Sequence, residues 1–360
     1  MTRAAPVVAC LLAVVIAAAA QPPPRGALAG GDRLAAVYDA ALNADFAEAE
    51  RQRLAACPPA PAPACQLLAA LTIWWRLQLD PGDRQHDAAF EREVTGAIDA
   101  ARRATAAAPD RADLWFHLGA AHGARAQWLG LRGDSLAAAR EGRAIKQALE
   151  RALALDPALD DARFGLGLYQ YYAGTAPRLL RMLRWLLLLP GGNRAAGLAM
   201  LERAHDAGGL VSSEAAYQLH AIYLWYEGRF TDARALIDAL ARRYPQSPLF
   251  PQVRATIDDV YLNDPAESRR GWEALLAAAR ADRVHEPVLA EARARLAIAS
   301  HLDRLDESDR ALPHLAAIIG RAGLPHGVEA QARLLGGRIH DRLGDRALAD
   351  ADYAAAVAAA

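Results

Sequence analysis

The sequence predicts an all-α protein built as an extended array of antiparallel helix pairs, and three observations carry that prediction. Alanine and leucine dominate while β-branched residues are few, a composition that favours helix over strand. Glycine and proline recur between apolar runs of helical period, where they mark helix stops and turns. At 360 residues the chain exceeds what one compact core accommodates, so several domains or a repeat array is expected.

The formal net charge is −1, and the basic residues are arginines apart from Lys146. That balance offers no basic surface for a nucleic acid, and no nucleic-acid partner is expected. Residues 1–20 carry Arg3, an apolar run from Pro6 to Ala20 and small residues before Gln21. This is the pattern of a secretory signal peptide, so export to a periplasm or cell envelope is expected. A lipoprotein reading at Cys10 and an uncleaved anchor are the alternatives, the first opposed by the apolar residues that follow the cysteine. Residues 21–31 are a Pro/Gly-rich linker, and 32–360 form one repeat domain. Behind the leader, Cys57 and Cys65 in CPPAPAPAC are the remaining cysteines, and an even pair after an export signal reads as a disulfide. Two free thiols in a cytosolic chain are the alternative.

Along the chain, Leu34, Val37, Leu42, Phe46 and Leu54 predict two short helices hinged near Asn43 to Asp45. A helix over Gln66–Leu79 is stopped by Asp80-Pro81-Gly82-Asp83, and Phe90–Ala108 is its antiparallel partner. Next comes Trp115-x-x-Leu118-Gly119-x-x-His122, a helix stop and cap at Gly133-Asp134, then Leu149-x-x-Ala152 and Pro157. The following unit has Phe164, Leu166 and Gly167, then an insertion over 174–192, then Gly197, Leu201 and Ala204. Tyr217, Ala221, Leu224, Gly228, Phe230, Ala233, Ile237 and Pro245 mark the cleanest unit, and looser pairs span 249–280, 287–321 and the C-terminal stretch around Gly337 to Ala356.

These residues resemble the tetratricopeptide repeat (TPR), of exported bacterial type, whose unit is about 34 residues of helix–turn–helix. The resemblance implies a right-handed superhelical solenoid with a continuous core and a functional concave face. Carried over residue by residue, its concave positions are Asp113 and Phe116, then Phe164, Leu168, Tyr171 and Tyr172, then Gln218, Ile222, Trp225 and Tyr226. This set is apolar and aromatic rather than basic. It implies a groove for a protein or peptide partner, with packing inside the core as the bland reading of each residue.

Within the insertion, which also includes Trp185, residues Arg178, Arg181 and Arg184 form one stripe of a helix, while Leu179, Leu180, Met182, Leu183, Leu186 and Leu187 fill the rest. Fully exposing each leucine would forgo roughly 1.5 to 3 kcal/mol, so the segment is expected to be covered. It can lie in its own groove, in a membrane interface over 178–189, or against a partner. A Gly192-Asn193-Arg194 and Gly197-Leu198 pattern is similar to a motif of eukaryotic inclusion-body and lipid-droplet clearance proteins built on TPRs, from which no activity is carried over.

No catalytic residues, cofactor or metal ligands emerge from the sequence. His117 and His122 are five apart rather than four, no phosphate loop is present, and Asp258-Asp259 reads as a helix face. The expected function is a protein-interaction scaffold or adaptor, with a membrane-surface or lipid-associated role as the alternative.

Overall fold

A computed structural model describes residues 23–175 and 191–359. Sixteen α-helices occur among the described residues. They are α1 (Gly31–Leu42), α2 (Phe46–Ala56), α3 (Ala62–Leu79), α4 (Asp87–Ala107), α5 (Ala112–Leu131), α6 (Ser135–Leu155), α7 (Asp161–Thr175) and α8 (Arg194–Ala207). The second half comprises α9 (Ser212–Ile222), α10 (Phe230–Arg243), α11 (Leu249–Val260), α12 (Pro265–Arg280), α13 (Pro287–Arg304), α14 (Ser308–Ala316), α15 (Val328–Leu343) and α16 (Arg346–Ala358). The expected helix at Gln66 begins four residues earlier, because Pro63 sits in its first turn, where its missing N–H costs nothing.

Local chemistry sets the boundaries. The side chains of Asp45, Asp134, Asn193, Asp264 and Asp345 each accept the backbone N–H three residues on, capping α2, α6, α8, α12 and α16. Gly344 stops α15 in the left-handed conformation, which a side chain would strain. The proline-rich loop after α2 is closed by a disulfide between Cys57 and Cys65.

The helices pack as consecutive antiparallel pairs, giving an all-α solenoid. Successive first helices also touch, α1 with α3, α3 with α5, α5 with α7 and α13 with α15, so the odd-numbered helices form the inner layer. Small residues permit the close pairing: a Cβ on Gly119 of α5 would lie 2.5 Å from the Leu149 side chain of α6.

The array does not stay open. Tyr38 on α1 donates to Glu214 on α9. Asp39 accepts from Tyr244 at 2.6 Å and pairs with Arg243 at 3.2 Å. The Asn43 amide and residue Gln246 exchange two hydrogen bonds at 3.0 and 3.1 Å. Asp80 pairs with Arg293 of α13 at 3.1 Å and accepts the His326 backbone N–H at 2.8 Å. The first two pairs are thereby tied to the fifth and later ones. One apolar core runs from Leu28 to Ile257, and a second, from Ala255 to Ile339, continues it.

Candidate partner-binding groove

The inner stripes of the odd-numbered helices, joined by Leu136, Ala139, Gly142 and Ile145 of α6, wall a single cavity of about 2140 Å³. Helical periodicity explains the lining: Leu67, Leu71, Trp74 and Gln78 recur on α3, and Phe116, Ala120, Ala124 and Gln127 on α5. Most of the wall is apolar.

Of the residues expected to form this groove, Phe116, Phe164, Leu168, Tyr172, Trp225 and Tyr226 line the cavity. Phe116 and Phe164 are buried, whereas Trp225 is 66% exposed, Tyr226 46% and Tyr172 39%. Trp225 donates its indole N–H to the Tyr261 hydroxyl at 2.8 Å, which fixes the ring without covering it. Gln218 also lines the cavity.

Three expectations need correcting. Tyr171 and Ile222 are fully buried in the core and off the cavity wall. Tyr171 is drawn inward because α7 and α8 cross at glycines, and its hydroxyl donates to Glu227 while Arg194 stands 5.7 Å from its ring. Asp113 is also buried, paired with Arg111 at 2.6 Å. Residues Arg178, Leu179, Arg181, Leu183, Arg184 and Trp185, with most of the insertion, lie outside the described residues, as does the signal peptide expected over 1–20.

A π-helical turn over Tyr223–Glu227 continues α9 and ends at Gly228 in the left-handed conformation. Such turns insert one residue into the helical register. Leu224, Trp225 and Tyr226 thereby reach the cavity together, a local feature without a periodic signature.

The groove also has a polar floor that sequence reasoning missed. Glu214, 3% exposed, accepts from Tyr38 and, at 3.4 Å, from the Gln127 amide; that amide's oxygen in turn accepts from Gln218 at 2.7 Å. Burial pushes the Glu214 carboxyl above the usual range, against the downward pull of its two donors. Glu214 lies in the first turn of α9, where acidic residues are ordinary, so nothing in the sequence marks it out. Nearby, Gln252 on α11 is buried with its amide nitrogen unpartnered, and its oxygen accepts from Arg293 at 3.3 Å.

The other polar clusters have limited chemistry. Ser268 lies 3.2 Å from His301 Nε2, with Asp259 4.0 Å from the same nitrogen, while Nδ1 faces Arg304 at 2.6 Å. A nucleophile relay needs base and orienting carboxylate on opposite ring nitrogens, and Ser268 is wholly buried, so this cluster is a packing network. His122 bonds to Glu141 at 2.5 Å, and His117 sits apart from it in the core. Among the described residues no three histidine, cysteine or acidic side chains gather as a metal site. Among them, too, no helix is long and apolar enough to cross a membrane.

No protein-family model matches the chain, and no curated protein does. Among solved structures, the crystal structure of yeast Tom70 is similar, with a TM-score of 0.41 and 15% sequence identity over 85% of this chain. The chain spans 62% of the length of that protein.

Proposed function

We propose that this chain is an exported protein-interaction scaffold or adaptor of the periplasm or cell envelope, which takes an apolar segment of a partner protein into its groove. The observation that carries the reading is the exposed aromatic wall of Tyr172, Trp225 and Tyr226 on a cavity of about 2140 Å³. Aromatic residues on a concave, largely apolar surface are the residues that dominate binding energy at protein interfaces. The solenoid holds them on rigid helices, so little ordering cost falls on the scaffold. The disulfide across the Cys57–Cys65 loop supports an oxidising compartment. No reaction is assigned to the chain.

The test is recovery of partners on the tagged chain from its native host, in parallel with Trp225→Asp. Trp225 is two-thirds exposed, so the variant is expected to melt within about 2 °C of the parent, in line with ordinary surface substitutions. A partner held by the parent and lost by the variant supports the groove. Identical recovery on both overturns it. N-terminal sequencing of the cell-fractionated protein tests export, with a mature start near Gln21 expected.

The membrane-surface reading is favoured by the arginine stripe and leucines over 178–189 in the sequence. Flotation with anionic and neutral liposomes tests it directly. A chain that stays at the bottom with both removes that reading.

A further inference from the structure

We propose that the floor of the groove binds a primary alkylammonium group, with Glu214 as its counter-charge. Five carboxylates are buried among the described residues, and four have a charged or multiple partner. Asp113 pairs with Arg111, Asp258 with Arg234 and Asp303 with Arg342, while Asp161 accepts backbone N–H groups before α9, that of Val211 at 3.0 Å. Glu214 differs. Its donors are Tyr38 and Gln127, both neutral, and no described cation acts on it.

A carboxylate offers about four acceptor directions, so two donors leave it half satisfied. An ionised acid buried without a cation is unfavourable, and a ligand that brings a positive charge removes that penalty. Glu214 reaches such a ligand because it stands on the cavity wall.

The surroundings select the cation. Tyr38 and Tyr217 line the same cavity, Tyr38 bonded to the carboxylate and Tyr217 one helical turn along from it. Aromatic faces attract cations, most strongly where water is scarce. Leu71 and Trp74 of α3 wall the same space and fit an alkyl stem. Each Glu214 oxygen already holds one neutral donor, which leaves single directions rather than the open pair that a guanidinium fork requires. An ammonium, a compact charge with rotatable donors, meets the requirement. A lone carboxylate is too small a ligand set for a metal ion.

The ammonium can arrive on a free alkylamine or on a lysine side chain, and the chemistry at Glu214 is the same. The site stands whether or not a protein partner occupies the rest of the groove.

Isothermal titration of the full chain with n-hexylammonium, 1-hexanol and hexanoate tests it, together with a leucine-rich peptide containing one lysine and its norleucine counterpart. The ammonium form is expected to bind at least about tenfold more tightly than the neutral one, a difference of about 1.4 kcal/mol, in the amine series, the peptide series or both. Success in the peptide series alone assigns the ammonium to a partner's lysine, and success with hexylammonium assigns free amines as well. Glu214→Gln keeps shape and hydrogen bonding, and is expected to bring the charged and neutral ligands within about twofold of each other. Identical partner recovery on the parent and Trp225→Asp, which overturns the scaffold reading, leaves these titrations unaffected, so the two readings fail separately. The parent chain showing no preference for the ammonium in either series overturns the proposal, without recourse to a variant. A preference that survives Glu214→Gln overturns it as well.

Discussion

Tyr38 donates its hydroxyl proton to Glu214, a residue 176 positions further along the chain. This bond joins α1 to α9, and both partners are buried. Tyr38→Phe removes the donor and keeps the ring, which packs against Trp75 at 6.4 Å. A hydrogen bond to a charged group contributes about 1.5 to 3 kcal/mol, so a loss of that size is expected in denaturant unfolding. An unchanged midpoint would show that the bond contributes nothing to closing the array.

Gly197 sets the distance between α7 and α8. A Cβ there would lie 2.4 Å from the Tyr171 backbone nitrogen, and backbone cannot yield as a flexible side chain does. Helix propensity alone favours alanine over glycine by about 1 kcal/mol. Overpacking of this kind costs about 1 to 3 kcal/mol and is expected to win, so Gly197→Ala should lower the melting temperature. Gly123, within α5, has open space where a Cβ would stand. Gly123→Ala should therefore raise the melting temperature slightly, and the opposite signs of the two substitutions are the check.

The Cys57–Cys65 bond closes a loop of separation 8. Cross-linking so short a loop stabilises by roughly 2 to 3 kcal/mol in the chain-entropy model. Reductant should lower the melting temperature of the parent and leave a Cys57→Ala, Cys65→Ala double variant unmoved.

His117 and His220 are both buried, and burial lowers each to about 4 from an ordinary value of 6.5. The unfolded chain takes up protons below about 6.5, whereas the folded chain stays neutral at these positions until about 4. Stability contributed by the neutral rings is therefore complete above about 6.5 and falls by about 1.4 kcal/mol per pH unit for each histidine on acidification. Glu214 works in the opposite direction, because its raised pKa favours the folded state as pH falls through it. Comparing the parent with His117→Leu cancels that contribution. The variant should show a slope between pH 6.5 and 4 that is shallower by one proton. Both ring nitrogens of His117 lack partners, so the variant should also be more stable at pH 7, by about 1 to 3 kcal/mol.

Much of the architecture was legible because helix pairs are local. Capping residues such as Asp134 and Asn193, left-handed glycines such as Gly133, and apolar spacing act within a few residues, and each marks a boundary that the structure keeps. Tyr172, Trp225 and Tyr226, which the repeat phase put at concave positions, line the cavity. The same phase misplaced Tyr171 and Ile222 because a repeat pattern gives a side chain's angle around its helix but not how closely the next helix approaches. At Tyr171 that approach is set by Gly167 and Gly197 on two helices, where a Cβ on Gly167 would lie 3.0 Å from the Gly197 oxygen. Glu214 was illegible for a different reason. Its environment is created by Tyr38 and Gln127, which are distant in sequence, so its chemistry exists only once the array has turned back on itself.

That return has a thermodynamic consequence. An open solenoid unfolds as a row of nearest neighbours and can lose its end units one at a time. Here Asp39, Asn43 and Asp80, near the start of the described chain, are bonded to Tyr244, Gln246 and Arg293, far along it. Release of α1 from one end breaks contacts in the middle of the array, so fraying from that side is coupled to global unfolding. Amide hydrogens of α1 and α3 should consequently exchange as slowly as those of the central helices. Among the described residues the hydrogen bonds of α16 reach only to nearby positions, Asp352 with His340 and Arg346 with Asp341, while Val357 is 80% exposed and Leu348 nearly half exposed, so exchange should run fastest in that helix.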